Sequence, residues 1–166
     1  STSSSFSRIR NKWYSTCFLN VFTPSKLLQA TINKYLVMFR QKYVIGVNID
    51  MAYLERSMSA SDAMNRVQKR FWMLDEMLKK ETAVLFVMTD SEDVETMLRN
   101  KYGERVIALS ELPRYTQTQV SEASLRRFFI EIMLLGRTQS LILTQGSKIS
   151  ETALYFHFIS PRVYYI

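Results

Sequence analysis

The chain of 166 residues is poor in the residues that announce chemistry. It has one cysteine, Cys17, so no internal disulfide can form and no Cys-x-x-Cys pair exists for metal or redox work. A lone cysteine reads as a small buried hydrophobe. It has one histidine, His157, set among Tyr155, Phe156 and Phe158, which argues against a Ser/His/Asp triad and for a packed residue on the last helix. Only four glycines are present, with no Gly-x-Gly-x-x-Gly loop and no Walker phosphate loop. No apolar run approaches the roughly 20 residues of a membrane-spanning helix. Acid is missing too, but only locally: residues 1–49 carry Arg8, Arg10, Lys12, Lys26, Lys34, Arg40 and Lys42 and no Asp or Glu. The remaining residues hold 15 basic and 15 acidic side chains, so the net charge of +7 belongs to the N-terminal quarter.

A Ser-rich, Arg-containing, acid-free start has three readings: the remnant of an organelle transit peptide, a basic arm for an acidic protein, lipid or nucleic-acid surface, or a solvated tail. Residues 1–22 are taken as this arm, with Arg8, Arg10, Lys12 and Trp13 as its partner-binding side chains, and residues 23–166 as one domain. An acid-free start and unpaired cysteine chemistry favour a mitochondrial matrix location over an oxidising lumen.

A hydrophobic content of 47% supports a globular core. Helix is expected from Thr23, with Thr23 as cap and Pro24 at the first helical position, since Leu28, Ile32, Tyr35 and Phe39 recur at helical spacing. "YVIGVNI" (43–49) reads as a buried strand, 62–80 as one helix with a Met64, Val67, Phe71, Leu74, Leu78 stripe, and "AVLFVMT" (83–89) as a second strand. "DSEDVETMLRNKYG" follows as a helix with acids first, bases last and Gly103 as its stop. "RVIAL" (105–109) is a third strand. Ser121 caps a helix carrying Leu125, Phe128, Phe129, Ile132 and Leu135. "SLILT" (140–144) is the fourth strand, 147–158 a closing helix, and "VYYI" a terminal strand after Pro161. Strands alternating with helices, each strand a continuous apolar run, predict an open, mainly parallel α/β sheet of Rossmann type with helices on both faces.

Ligands of such sheets sit beyond the carboxyl ends of the strands. Those ends present Asn48 and Asp50, Thr89 and Asp90, Ser110, and Thr144-Gln145-Gly146-Ser147. The "QGS" turn before the last helix suits a phosphate, or is a plain strand-to-helix turn capped by Ser147 or Ser150. The acids of "DSED" serve the helix dipole rather than a metal, and no metal site is expected.

The order of these pieces resembles the GDP-fucose-binding C-terminal half of inverting fucosyltransferases, the α1,6 enzymes and their O-fucosyltransferase relatives, over roughly Trp13 to Ala153. The resemblance rests on "WYSTCFLNVFTPSKLLQ", "YVIGVNID", "VLFVMTDSEDV" and "SLRRFFIEIMLLGRTQSLILTQGSKISETA". It implies half of a two-domain glycosyltransferase fold. The family strand ends in His-x-Arg, whose Arg holds the donor β-phosphate as a bidentate cation; here Asn48-Ile49-Asp50 stands in its place, and an anion repels a diphosphate. The resemblance places Asp90, Glu131 and Ser147 near the nucleotide, Glu131 as the acid that reads guanine. Arg56, Arg126 or Lys148 would have to replace the lost cation, and Asp50 or Glu55 would have to act as base.

Three functions follow as expectations. One is a degenerate fucosyltransferase-like domain, a non-catalytic subunit of a larger assembly needing no cofactor. Another is a donor-binding domain for GDP-fucose or another nucleotide sugar, with the acceptor half supplied elsewhere. The third is a basic nucleic-acid-binding module working through the N-terminal arm.

Overall fold

The computed structural model describes residues 24–116, 120–157 and 161–166. The basic arm, including Arg8, Arg10, Lys12 and Trp13, lies outside the described residues, as does Thr23.

Helix α1 spans Lys26–Phe39 and β1 spans Tyr43–Ile49. Three short helices follow: α2 (Met51–Leu54), α3 (Ala60–Gln68) and α4 (Phe71–Met77). Next come β2 (Ala83–Thr89), α5 (Glu92–Tyr102), a single 3-10 turn (Gly103–Arg105) and β3 (Val106–Ile107). The chain closes with α6 (Glu122–Leu135), β4 (Ser140–Leu143), α7 (Lys148–Tyr155) and β5 (Arg162–Tyr165). The five strands form one sheet in the order β3-β2-β1-β4-β5, and every pairing is parallel. This is the Rossmann-like α/β sheet expected from the sequence.

Both faces of the sheet are covered, which is why the strands read as continuous apolar runs. Side chains alternate across the pleat. Ile45, Val47 and Ile49 of β1 and Leu85 and Val87 of β2 pack with Val67, Phe71, Leu74, Val94 and Leu98 of α3, α4 and α5. Val44, Phe86 and Met88 face the other way, onto Ile32, Tyr35 and Phe39 of α1 and Ile130, Met133 and Leu134 of α6. Gly46 lies on this second face, where a Cβ would run into the side chains of Leu135, Leu141 and Thr138.

Several boundaries differ from expectation. The cap of α1 is Ser25, whose hydroxyl accepts from Leu28 N–H, so Pro24 stands before the helix rather than inside it. The expected helix over 62–80 is two helices broken at Lys69 and Arg70, with Val67, Phe71, Leu74 and Leu78 still facing the core. The third strand pairs only through Val106 and Ile107; as an edge strand it has one neighbour, and Ser110 N–H turns back onto Ala108 C=O. On α6 the expected Ile132 and Leu135 are buried, together with Ser124, Arg127, Ile130, Glu131, Met133 and Leu134, while Phe128 and Phe129 are half-buried and Leu125 is exposed. His157 is buried but follows α7, whose C-cap is Phe156.

Candidate functional site

In the chain order β1 leads outward to β2 and β3, then the chain returns to add β4 and β5 on the other side. The switch point, where ligands of open α/β sheets bind, therefore lies between the carboxyl ends of β1 and β4. Here that crevice is laced with hydrogen bonds from the chain itself. Thr144 N–H donates to Asn48 C=O at 3.1 Å, and the Thr144 hydroxyl donates to the same oxygen at 3.2 Å. The hydroxyl also accepts from Asp50 N–H at 3.0 Å. Ser150 Oγ accepts from Thr144 N–H at 3.1 Å and donates to Asn48 Oδ1 at 2.5 Å. Asn48 Nδ2 donates to Met88 C=O at 3.3 Å. Asn48, Asp50, Thr144 and Ser150 are all buried, so these partners satisfy groups that water does not reach.

Immediately after β1 comes α2, a single turn whose first amides face two carboxylates. Asp90, at the end of β2, accepts from Met51 N–H at 2.8 Å and Ala52 N–H at 2.9 Å. Asp50 is the N-cap and accepts from Tyr53 N–H at 3.0 Å. Its second oxygen accepts from the Ser147 hydroxyl at 2.6 Å. Three successive donors that would otherwise suit an external anion thus already have internal ones. Burial pushes the Asp90 carboxyl above the usual carboxylate range; its bonds to Ala52 and Met51 oppose this, and the neighbouring Asp50 charge adds to it.

The "QGS" turn is closed as well. Ser147 caps α7, its oxygen accepting from Ser150 N–H at 3.3 Å. Gly146 has φ of 82°, the left-handed region, and a Cβ there would strike the Tyr53 hydroxyl. The Tyr53 side chain occupies the space that a side chain at Gly146 would take.

Beneath the crevice, α6 supplies Glu131, which accepts from Arg127 Nε at 2.7 Å; both are buried, Arg127 with 2% of its surface exposed. Arg127 also donates to Leu112 C=O at 2.8 Å and lies 3.7 Å from Glu95. Burial raises the Glu131 carboxyl to about 7, outweighing the pull of Arg127. Burial also lifts Glu95, but hydrogen bonds from Arg114 (2.6 Å) and Arg99 (3.0 Å) win and hold it below the usual range.

What space remains is small. A cavity of about 20 Å³ lies among Asn48, Asp50, Asp90, Glu131, Tyr115 and Ile149. That is room for one water, whereas small-molecule sites run to about 300–1,000 Å³. A larger hollow of about 340 Å³ opens beside it, along Gln145, Gly146, Glu151 and Tyr165, but no Lys or Arg lines it.

Asp50, Asp90, Glu131 and Ser147 therefore converge on one crevice, as hydrogen-bond acceptors, caps and ion-pair members. The remaining candidates stand apart. Glu55 is exposed at the C-cap of α2. Arg56 is exposed and lies over the Tyr53 ring at 5.9 Å. Arg126 pairs with Glu122 at 2.9 Å and Lys148 with Glu151 at 2.9 Å, both on helix surfaces. Sequence reasoning missed Tyr53 and Arg127. For Tyr53 the signal is Asp50 followed by Met-Ala-Tyr-Leu, a cap before a helical turn; for Arg127 it is an Arg four residues before Glu131 on an otherwise apolar stripe.

No family model matches the chain, and no curated protein does. Among solved structures, NodZ α-1,6-fucosyltransferase soaked with GDP-fucose aligns at 20% identity and a TM-score of 0.57, over 80% of this chain and 42% of that one. NodZ co-crystallised with GDP aligns at 19% identity and 0.57, over 78% and 41%. Fucosyltransferase NodZ from Bradyrhizobium gives 18% and 0.56, over 78% and 41%. The chain spans about two-fifths of the length of the structures it matches. The likeness is one of fold: a Rossmann-like domain similar to part of a fucosyltransferase.

Proposed function

We propose that this chain is a glycosyltransferase-like domain with a self-filled donor crevice, acting as a non-catalytic component of a larger assembly. The observation that carries this reading is the pair of carboxylates, Asp50 and Asp90, on the first amides of α2. A diphosphate needs donors and a cation. Here the donors are bonded internally, two anions stand where it would rest, and Tyr53 covers the turn beside it. The basic arm, with Arg8, Arg10, Lys12 and Trp13, is the natural anchor on an acidic partner surface, because it holds three of the seven cations of the acid-free residues 1–49 and no carboxylate.

A second reading, a GDP-sugar-binding domain completed by another domain, is favoured by one observation: Asp90, Glu131 and Ser147, which the family resemblance puts near a nucleotide, lie around one crevice. A thermal titration with GDP and GDP-fucose separates the two. Ligand at about 100 times its dissociation constant stabilises a fold by roughly 2.7 kcal/mol. The proposal expects no shift; a saturable rise in melting temperature overturns it in favour of the second reading. The assembly role is checked by gradient sedimentation from native extract. The chain is expected to run with a large complex and to be released by Arg8→Gln/Arg10→Gln/Lys12→Gln. Migration as a free monomer contradicts that role.

A further inference from the structure

The break between α3 and α4 places three cations side by side: Arg66 in the last turn of α3, Lys69 as its C-cap and Arg70 opening α4. Cations at a helix C-terminus complement its dipole, which accounts for Arg66 and Lys69 but not for Arg70 at the start of the next helix. None of the three has an ion pair among the described residues, whereas Lys34, Lys79, Lys101, Arg114, Arg126 and Lys148 each meet a carboxylate. They line an open groove of about 490 Å³ with Asn65 and Asp62, whose carboxylate accepts from the Ser59 hydroxyl at 2.7 Å. Two residues beyond Arg70 stands Trp72, with 59% of its surface exposed.

We propose that this junction binds single-stranded nucleic acid, with Arg66, Lys69 and Arg70 on successive phosphates and Trp72 as a stacking platform for a base. The inference does not involve the crevice and goes beyond the assembly role given above. Charge and polarity decide the class of partner. The centre of a protein–protein interface is depleted of charge and built on apolar anchors. This groove is lined by no apolar residue and carries three cations against one carboxylate. Nucleic-acid interfaces are polar and positive, and an exposed indole two residues along the chain from Arg70 provides sequence-tolerant stacking. Two of the three cations are arginines, whose forked guanidinium fits phosphate oxygens.

The test uses the full chain, a fluorescein-labelled oligouridine of about 20 nucleotides, a labelled oligoglutamate peptide, and fluorescence anisotropy across a salt series. Arg66→Gln/Lys69→Gln/Arg70→Gln is expected to bind the RNA at least about tenfold more weakly, and to lower the slope of log affinity against log salt by about 2. Trp72→Ala is expected to lose about tenfold with its salt slope unchanged. An unaltered thermal midpoint in both variants shows that these losses are not unfolding. The proposal is overturned if the triple variant binds RNA as the wild type does. It is also overturned if binding disappears only in Arg8→Gln/Arg10→Gln/Lys12→Gln, since the arm is then the site. Equal affinity for oligoglutamate, with the same losses, overturns it in favour of an acidic protein partner.

Discussion

Replacing Asp50 with alanine separates a structural keystone from a working group. Asp50 is buried, with 7% of its surface exposed, and accepts from Tyr53 N–H and the Ser147 hydroxyl. Loss of the N-cap costs about 1 kcal/mol. Loss of the charged bond to Ser147 costs about 1.5–3 kcal/mol. Removing one of two neighbouring carboxylates returns a fraction of that, because the Asp50 charge raises the cost of ionising Asp90. The net is a destabilisation of about 2–3 kcal/mol. For a domain of this size, each kcal/mol lowers the melting temperature by about 2–4 °C, so a drop of roughly 4–12 °C is expected. Asp50→Asn keeps one oxygen for Tyr53 N–H and is expected to lose about 1 kcal/mol. Circular-dichroism melts of the three proteins measure this directly. Removing a group that is held in place for chemistry commonly stabilises the fold. An Asp50→Ala protein as stable as the wild type, or more so, would therefore refute the structural role given to this residue.

The buried ion pairs make two further predictions. Arg127→Leu strands Glu131 without its partner and is expected to cost about 3–5 kcal/mol in denaturant unfolding, whereas Arg127→Leu/Glu131→Leu recovers most of the loss. Glu131 has a folded pKa of about 7, above its unfolded value, so its contribution to stability is full below the unfolded pKa and is lost as pH rises through about 7. Wild type should therefore lose at least about 1 kcal/mol relative to Glu131→Gln between about pH 5 and pH 8, read from unfolding midpoints at each pH.

The sheet was legible because its signals are local. Tyr43–Ile49 and Ala83–Thr89 are continuous apolar runs bounded by polar residues, and both strands have the limits expected from them. Gly103 stops α5 as its composition suggests. The break at Lys69 and Arg70 was hidden because Val67, Phe71, Leu74 and Leu78 keep a helical spacing across it: two helices pack the same face on the sheet, and periodicity reports the face, not the axis. Helix α2 was hidden by its length, four residues being too few to establish a period.

At the site, the sequence placed Asn48, Asp50, Asp90 and Ser147 at strand ends but not their partners. That Asp90 bonds amides 38 and 39 residues away, or that Ser147 donates to Asp50 across 97 residues, depends on the register of β1 with β2 and β4. Register is a tertiary property that no local pattern contains. For the same reason, Gly146 in the sequence is open to a phosphate, while in the fold the Tyr53 hydroxyl stands over it.

The closed crevice is tested most directly by amide hydrogen exchange at Met51, Ala52 and Tyr53, with and without saturating GDP-fucose. Internal carboxylates on these three amides predict slow exchange in the free protein and no change on adding the nucleotide sugar. Rapid exchange in the free protein, with protection appearing only when GDP-fucose is added, would mean that the amides are held open for a phosphate and would contradict the account.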